Sequence, residues 1–290
     1  IMGHQFVMGR SIDEALDRST EKDGASYRHS FDMLGEAALT HADAERYFVA
    51  YQVAIRAIGA RGPYADIVAA PSISVKLSAL HPRYEFAQRE RVLVELTPKV
   101  LALAKLARSV GIPMTVDAEE ADRLELSLDI MATIFAHPQL EGWDGFGLAV
   151  QAYQKRALPL IDWLAAQADG CGRRWFVRLV KGAYWDAEVK RAQVDGHAGY
   201  PVFTRKANTD VSYLACARAL FEHGTKFYPQ FATHNAHTIA AIVHMARGRP
   251  FEFQRLHGMG GDMYAEVVGN RNLGLPCRVY APVGSHEDLL

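Results

Sequence analysis

Short apolar runs alternate with longer stretches in which apolar residues recur every three or four positions, and this rhythm repeats along nearly the whole chain. The short runs read as buried strands and the longer stretches as amphipathic helices. Strands are expected over residues 30–34, 73–77, 113–116, 145–150, 175–180, 227–232, 251–256 and 278–280. Between the first two, Tyr47, Tyr51, Ile55 and Ile58 lie at helical spacing and stop at Gly59. Leu96, Val100, Leu103 and Val110 mark the next helix, where Pro98 should force a kink or a restart. Further helices are expected over 119–135, along the face Leu158, Ile161, Leu164 and Ala168, and over 184–194 and 239–246. An additional helix over 209–223 precedes the sixth strand, and a short helical turn over 263–267 precedes the eighth. Ahead of all this a helix over 11–22 is signalled by Ser11 as N-cap, with Glu14 completing a capping box.

Eight strands separated by helices, with no hairpin signal between them, call for an all-parallel sheet. Its closed form is a (β/α)8 barrel, to which a chain of 290 residues is suited. A doubly wound open sheet would carry a glycine-rich phosphate turn after its first strand. The corresponding segment here, Leu34-Gly35-Glu36-Ala37, is not that fingerprint. The expectation is a distorted barrel over 26–290 with a short N-terminal helical arm over 1–25.

Composition narrows the function. Lys and Arg number 32 against 33 Asp and Glu, with no run of like charge, so no nucleic-acid footprint exists. Three widely spaced cysteines, Cys171, Cys216 and Cys277, make neither a disulfide framework nor a metal motif, which fits a cytoplasmic location. No apolar run approaches a membrane span and no signal peptide stands at the start. Ile1 follows no initiator and Leu290 stops inside a helix start, so the chain reads as part of something longer.

In a barrel the chemistry gathers at the carboxyl ends of the strands. The polar residues there are Lys76, Asp117, Gln151, Arg178 with Lys181, Thr233 with His234, and His257. Arg178 interrupts an otherwise apolar strand, and a buried guanidinium needs a charge or a cofactor beside it. Its alternative is a solvent-facing or acid-paired arginine. Lys76 could bind an anion or act as an amine nucleophile, or simply pair with Asp117. Asp117 could be a base, a charge partner, or a helix N-cap with Glu120 closing a capping box. Gln151 offers a donor and an acceptor to a heterocycle edge, or to loop backbone. Thr233 reads as a helix cap. Lys181-Gly182-Ala183 before a helix could cradle a pyrophosphate, with Tyr184 and Trp185 as aromatic walls or as core. His234 and His237 have metal-like spacing, but no acid or third histidine stands near, so no metal is expected.

The blocks ISVKLSALHPRY, RLVKGAYWDAEVKRAQ, YPVFTRKANTDVSYLACA, YPQFATHNAHT, FEFQRLHGMG and VYAPVGSHEDLL resemble the proline dehydrogenase domain of bacterial bifunctional proline-utilisation flavoenzymes. The likeness runs from about Phe31 to Leu290. It implies a distorted (β/α)8 barrel that binds FAD and oxidises L-proline to Δ1-pyrroline-5-carboxylate by hydride transfer to flavin N5, with electrons passed to a quinone. It further implies that Lys76 holds the proline carboxylate beside Asp117, with Tyr184 and Leu256 as pocket walls. Gln151 and Arg178 are implied on the isoalloxazine, with the arginine beside N5. Val180, Lys181, Gly182 and Ala183 fall on the phosphate and ribitol turn, with Trp185 packed against the cofactor. Asp117 counts among the cofactor contacts, as do Arg205, Lys206, Ala207, Thr233, His234 and Asn235.

The family continues past the APVGSHEDLL block into a last helix, bearing a tyrosine and two arginines that join the lysine on the substrate carboxylate. That helix is not represented up to Leu290. The implied parent chain carries an aldehyde dehydrogenase domain and makes peripheral contact with the inner membrane. Two other readings stay open: a flavin-binding but catalytically impaired fragment, and a barrel hydrolase using Asp117 with Glu119 or Glu252.

Overall fold

The computed structural model describes residues 6–21, 24, 26–35, 37–269 and 273–285. Eight parallel strands close on themselves in chain order. They are β1 (Arg28–Met33), β2 (Ser72–Val75), β3 (Met114–Val116), β4 (Phe146–Gln151), β5 (Trp175–Val180), β6 (Phe227–Ala232), β7 (Glu252–Leu256) and β8 (Cys277–Val283). Closure is made by β1 against β8, in register from Arg28 opposite Arg278 to Met33 opposite Val283. The barrel expectation holds, and β5 and β6 fall on the predicted residues.

The helices form the outer layer: α1 (Ile12–Ser19), α2 (His41–Ala60), α3 (Arg89–Ser109), α4 (Leu124–Phe135), α5 (Ala157–Cys171), α6 (Trp185–Val194), α7 (Lys206–Glu222), α8 (Ala236–Ala246) and α9 (Gly261–Val268). The main apolar core lies between this layer and the outer faces of the strands, around Trp175, Phe135, Phe146, Phe231 and Phe253. The Phe135 and Trp175 rings stack there with centroids 3.7 Å apart. The arm shares the same core, because Ile12, Ala15 and Leu16 of α1 are buried in it and Gly9 bridges to Val283.

Local chemistry explains most departures from expectation. α3 runs through Pro98 without a restart. The carbonyl that loses its partner belongs to Val94, whose residue is 75% exposed, so water can satisfy it. Ser11 caps α1 through its Oγ, but the Glu14 carboxylate accepts from Arg10 N–H instead, so the box closes one residue early. The expected end of that helix, Lys22, and Glu36 of the turn after β1 lie outside the described residues, as does the helix start expected at 286–290. Residues 119–123 form a loop and a single 3-10 turn, and α4 begins only at Leu124. Asp117 therefore caps nothing. Thr233 is not the cap of α8 either: Asn235 is, through its side-chain oxygen and Thr238 N–H at 2.9 Å.

The barrel interior is polar. Ser30, Ser74, Arg178, Gln230, Glu252, Gln254 and Arg278 are all buried. Arg178 of β5 reaches the hydroxyls of Ser30 on β1 and Ser74 on β2, which only an inward side chain can do. At the amino-terminal end of the strands Glu252 is clamped by Arg278 at 2.6 Å and Arg28 at 2.9 Å. Burial would push the Glu252 carboxyl up, but the two arginines hold it below its ordinary value. Arg278 also donates to the carbonyls of His29, Ala70 and Val68, closing that end of the barrel. Among the described residues no helix is long and apolar enough to cross a membrane.

Candidate active site

A cavity of about 690 Å3 opens at the carboxyl ends of the strands. Lys76 follows β2, Asp117 follows β3, and Arg178 projects from the middle of β5, so three parts of the barrel deliver charge to one place. The Lys76 ammonium donates to both oxygens of Asp32, at 2.8 and 2.9 Å, and lies 3.6 Å from Asp117. Asp117 accepts from Arg178 Nη1 through one oxygen and from the Tyr280 hydroxyl at 2.7 Å through the other. A buried and a half-buried cation, Arg178 and Lys76, thus face a buried and a half-buried carboxylate, Asp32 and Asp117, and charge balance is what makes the cluster tolerable there.

The titration behaviour follows from that balance. Burial pulls the Lys76 ammonium down, yet the acidic groups Tyr280, Asp32 and Asp117 around it hold it well above the ordinary lysine value. Burial raises Asp32, and Asp117 adds to it, while Lys76 opposes both. These two shifts pull the pair in opposite senses. The bidentate contact decides the matter in favour of a charged lysine on a charged aspartate. Tyr280 is buried beside both carboxylates and stays a phenol, far above its usual value.

Arg178 is the hub. Its Nε donates to Gln254 Oε1 at 2.7 Å, Nη2 donates to Ser30 and Ser74 at 3.0 and 2.9 Å, and Nη1 donates to Asp117. A guanidinium has five N–H groups. Four are used, leaving one on Nη1 for whatever enters the cavity that Arg178 lines.

On the opposite wall the chain turns at residues 180–183. Gly182 has φ of 143°, and a Cβ there would lie 2.4 Å from the Tyr153 ring, so only glycine fits. Gln151 pins this turn: its Oε1 accepts from Ala183 N–H at 3.2 Å and its Nε2 donates to Glu119 O at 2.8 Å. Both Gln151 groups go to backbone, the plainer of the two sequence readings. Lys181 and Lys206 share Asp210, at 2.5 and 2.6 Å, and these bonds draw its carboxyl below the ordinary value. The His234 ring accepts from Leu256 N–H at 3.2 Å through Nε2, so Nδ1 carries the proton. Burial lowers its pKa and keeps the ring neutral.

Fourteen of the seventeen predicted site residues line this one cavity: Lys76, Asp117, Gln151, Arg178, Val180, Lys181, Gly182, Ala183, Tyr184, Lys206, Thr233, His234, Asn235 and Leu256. Trp185, Arg205 and Ala207 lie outside its lining. Trp185 is 41% exposed and donates from its indole to Phe203 O at 3.0 Å. His257, part of the expected polar ring, is also outside the lining; burial and the Arg18 and Arg255 charges lower it to about 4. No group of three potential metal ligands occurs among the described residues. Glu252 stands at the far end of the barrel from Asp117, and Glu119 is taken by Ser78 N–H and Arg123, so neither faces Asp117 as a catalytic pair.

Sequence reading missed Asp32, Tyr280, Ser30, Ser74 and Gln254. Asp32 carried a usable signal, a lone carboxylate in an apolar strand, the same cue that singled out Arg178. A tyrosine or a serine in a strand carries none.

Fold and cavity define an enzyme of the (β/α)8-barrel class, with charge concentrated at the carboxyl end of the strands. Residues 15–290 match the proline dehydrogenase family, and the chain belongs to that family. It is 54% identical over its whole length to the bifunctional protein PutA of Salmonella typhimurium, and it spans 22% of that protein. A mutant of Bradyrhizobium japonicum Proline Utilization A superposes with a TM-score of 0.91 at 55% identity, covering 99% of this chain and 29% of that one. Proline Utilization A from Bdellovibrio bacteriovorus, inactivated by N-propargylglycine, gives 0.91 at 30% identity, with 98% and 31% covered.

Proposed function

We propose that this chain oxidises L-proline to Δ1-pyrroline-5-carboxylate with FAD as cofactor, within a longer bifunctional protein. The observation that carries the reading is the Lys76–Asp32–Asp117–Tyr280–Arg178 cluster at the floor of a cavity whose opposite wall is a glycine turn flanked by lysines. The residues present fit the cofactor. Gly182 lets the cavity-lining turn pack against the Tyr153 ring where any Cβ would clash, Lys181 and Lys206 put positive charge at the rim, and Arg178 keeps one N–H unspent. Val180, Lys181, Gly182, Ala183, Lys206, Thr233, His234 and Asn235 would hold it, with Arg205, Ala207 and Trp185 alongside.

When bound, FAD supplies at N5 the acceptor for a hydride from proline C5, and a membrane quinone takes the electrons onward. The protein's own contribution is electrostatic and positional. Lys76 binds the substrate carboxylate and is kept charged and fixed by Asp32. Arg178 places a guanidinium where negative charge grows, a contribution of typically about 2.7–4 kcal/mol for a preorganised donor. Asp117 orients both cations and takes no proton. Tyr184 and Leu256 wall off the ring. As hydride leaves C5, the nitrogen lone pair closes the C=N bond, and the amine must enter neutral. The remainder of the parent protein would carry the aldehyde dehydrogenase activity, with peripheral contact at the inner membrane from the cytoplasmic side.

The test is the absorption spectrum of the FAD-loaded protein under anaerobic conditions. Flavin bands that bleach on addition of proline support the reading. A protein that takes up no flavin overturns it, and flavin bands that proline leaves unchanged make the chain a flavin binder without this activity.

A further inference from the structure

We propose that Gln254, oriented by Glu252, is the residue that positions Arg178 for the cofactor. The inference rests on the reading of Arg178 given above and extends it down the barrel axis.

A side-chain amide can sit either way round, and here both of its contacts choose the same way. Gln254 Oε1 accepts from Arg178 Nε at 2.7 Å, and Gln254 Nε2 donates to Glu252 Oε1 at 3.2 Å. Flipped, the amide would set two donors against each other at Arg178 and two acceptors against each other at Glu252. Glu252 itself has little freedom. It is buried and ionised, and it accepts from Arg278 Nε, Arg278 Nη2, Arg28 Nη1, Gln230 Nε2 and the Tyr228 hydroxyl. Its charge therefore dictates the amide orientation, and the amide dictates where the Nε edge of Arg178 lies. The other contacts of Arg178 do not replace this one. Ser30 and Ser74, bonded to each other at 3.0 Å, accept at Nη2, the Tyr280 ring lies 4.9 Å from the guanidinium carbon, and Asp117 bonds to Nη1 alone, so none of them engages the Nε edge. Losing the acceptor at Nε lets the planar guanidinium turn about the Asp117 contact, carrying its unspent Nη1 N–H with it. Gln254 also lines the cavity, so the device extends from the closed end of the barrel to the site.

The substrate side meets this device only at Asp117 and Tyr280, which lie between Arg178 and Lys76. Lys76 is held by Asp32, and none of its bonds involves Gln254. A disturbance at Gln254 should thus appear in the flavin and in kcat and leave proline binding alone.

The experiment measures the midpoint potential and proline kinetics of the full-length FAD-loaded protein carrying Gln254→Leu, Arg178→Met, or both. Gln254→Leu should weaken binding of reduced relative to oxidised flavin about tenfold, which for a two-electron couple is a shift of about 30 mV to more negative potential. It should lower kcat about tenfold, with KM for proline within about twofold. In the Arg178→Met background it should add nothing, because the group it positions is gone. Should Gln254→Leu not accumulate as folded protein, Gln254→Asn, one methylene too short to span Arg178 and Glu252, gives the same readout. If Arg178→Met moves the potential and the Gln254 variants do not, the positioning role is refuted while the reading of Arg178 stands. If Arg178→Met leaves the potential unchanged, that reading fails and this inference with it. An additive effect in the double variant also overturns the proposal.

Discussion

Replacing Lys76 by methionine removes an ammonium while keeping most of its stem. Asp32 is 3% exposed and both its oxygens bind the Lys76 Nζ, so the variant leaves a buried carboxylate with no ion-pair partner among the described residues. Removing one member of a buried pair costs about 3–5 kcal/mol when the survivor stays charged. Protonation relieves that cost. Burial already raises the Asp32 carboxyl against the pull of Lys76, and without the lysine it rises further. A carboxyl raised on folding contributes its stability fully below its unfolded pKa of about 3.9, and loses it as pH climbs through the folded value. The penalty of keeping the carboxylate charged thus develops as pH climbs above that point. Urea denaturation of the variant and the parent should therefore differ more at pH 8 than at pH 5, by about 2 kcal/mol or more. Adding Asp32→Asn should recover most of the loss at pH 8. The same variant should raise KM for proline. A stability difference that is the same at both pH values would show that Asp32 is not held as a counter-ion, and an unchanged KM would remove Lys76 from the substrate.

Gly182→Ala places a Cβ 2.4 Å from the Tyr153 ring at a φ of 143°, so the turn must shift. The flavin-to-protein absorbance ratio of the purified protein should drop, and an unchanged ratio would mean the turn does not shape the cofactor site. Tyr280→Phe deletes the hydroxyl that donates to Asp117 at 2.7 Å. Loss of a hydrogen bond to a charged group should cost about 1.5–3 kcal/mol, read as a lower urea midpoint. His29 is buried, stacked on Phe31 at 5.9 Å, and burial together with Arg278 lowers it to about 3. Its folded value lies below its unfolded one, so the stability it contributes is present above about pH 6.5 and lost as pH falls toward 3. His29→Gln should make that acid limb shallower in pH-dependent thermal melts, and an identical limb would contradict the assignment.

What the sequence determined on its own was the barrel and the cavity wall at residues 180–183. Strand and helix identity come from local periodicity, and eight short apolar runs with no hairpin turns leave few ways to arrange a parallel sheet. Lys181, Gly182 and Ala183 were legible because a turn before a helix is contiguous in the chain, and Gln151 because it is the polar residue that ends an apolar strand. The pairings at the floor of the cavity were not. Arg178 meets Ser30, Ser74, Asp117 and Gln254 across separations of 148, 104, 61 and 76 residues, and the register of the strands around the closed barrel sets those meetings. The late start of α4 at Leu124 took Asp117 out of its expected helix cap, and the closed barrel made it the shared acceptor of Arg178 and Tyr280. The pairing of β1 with β2 gave Lys76 a nearer partner in Asp32 than in Asp117. A buried charge announces along the chain that it needs a counter-charge. Which residue answers is decided by the stagger of strands that sequence spacing does not encode.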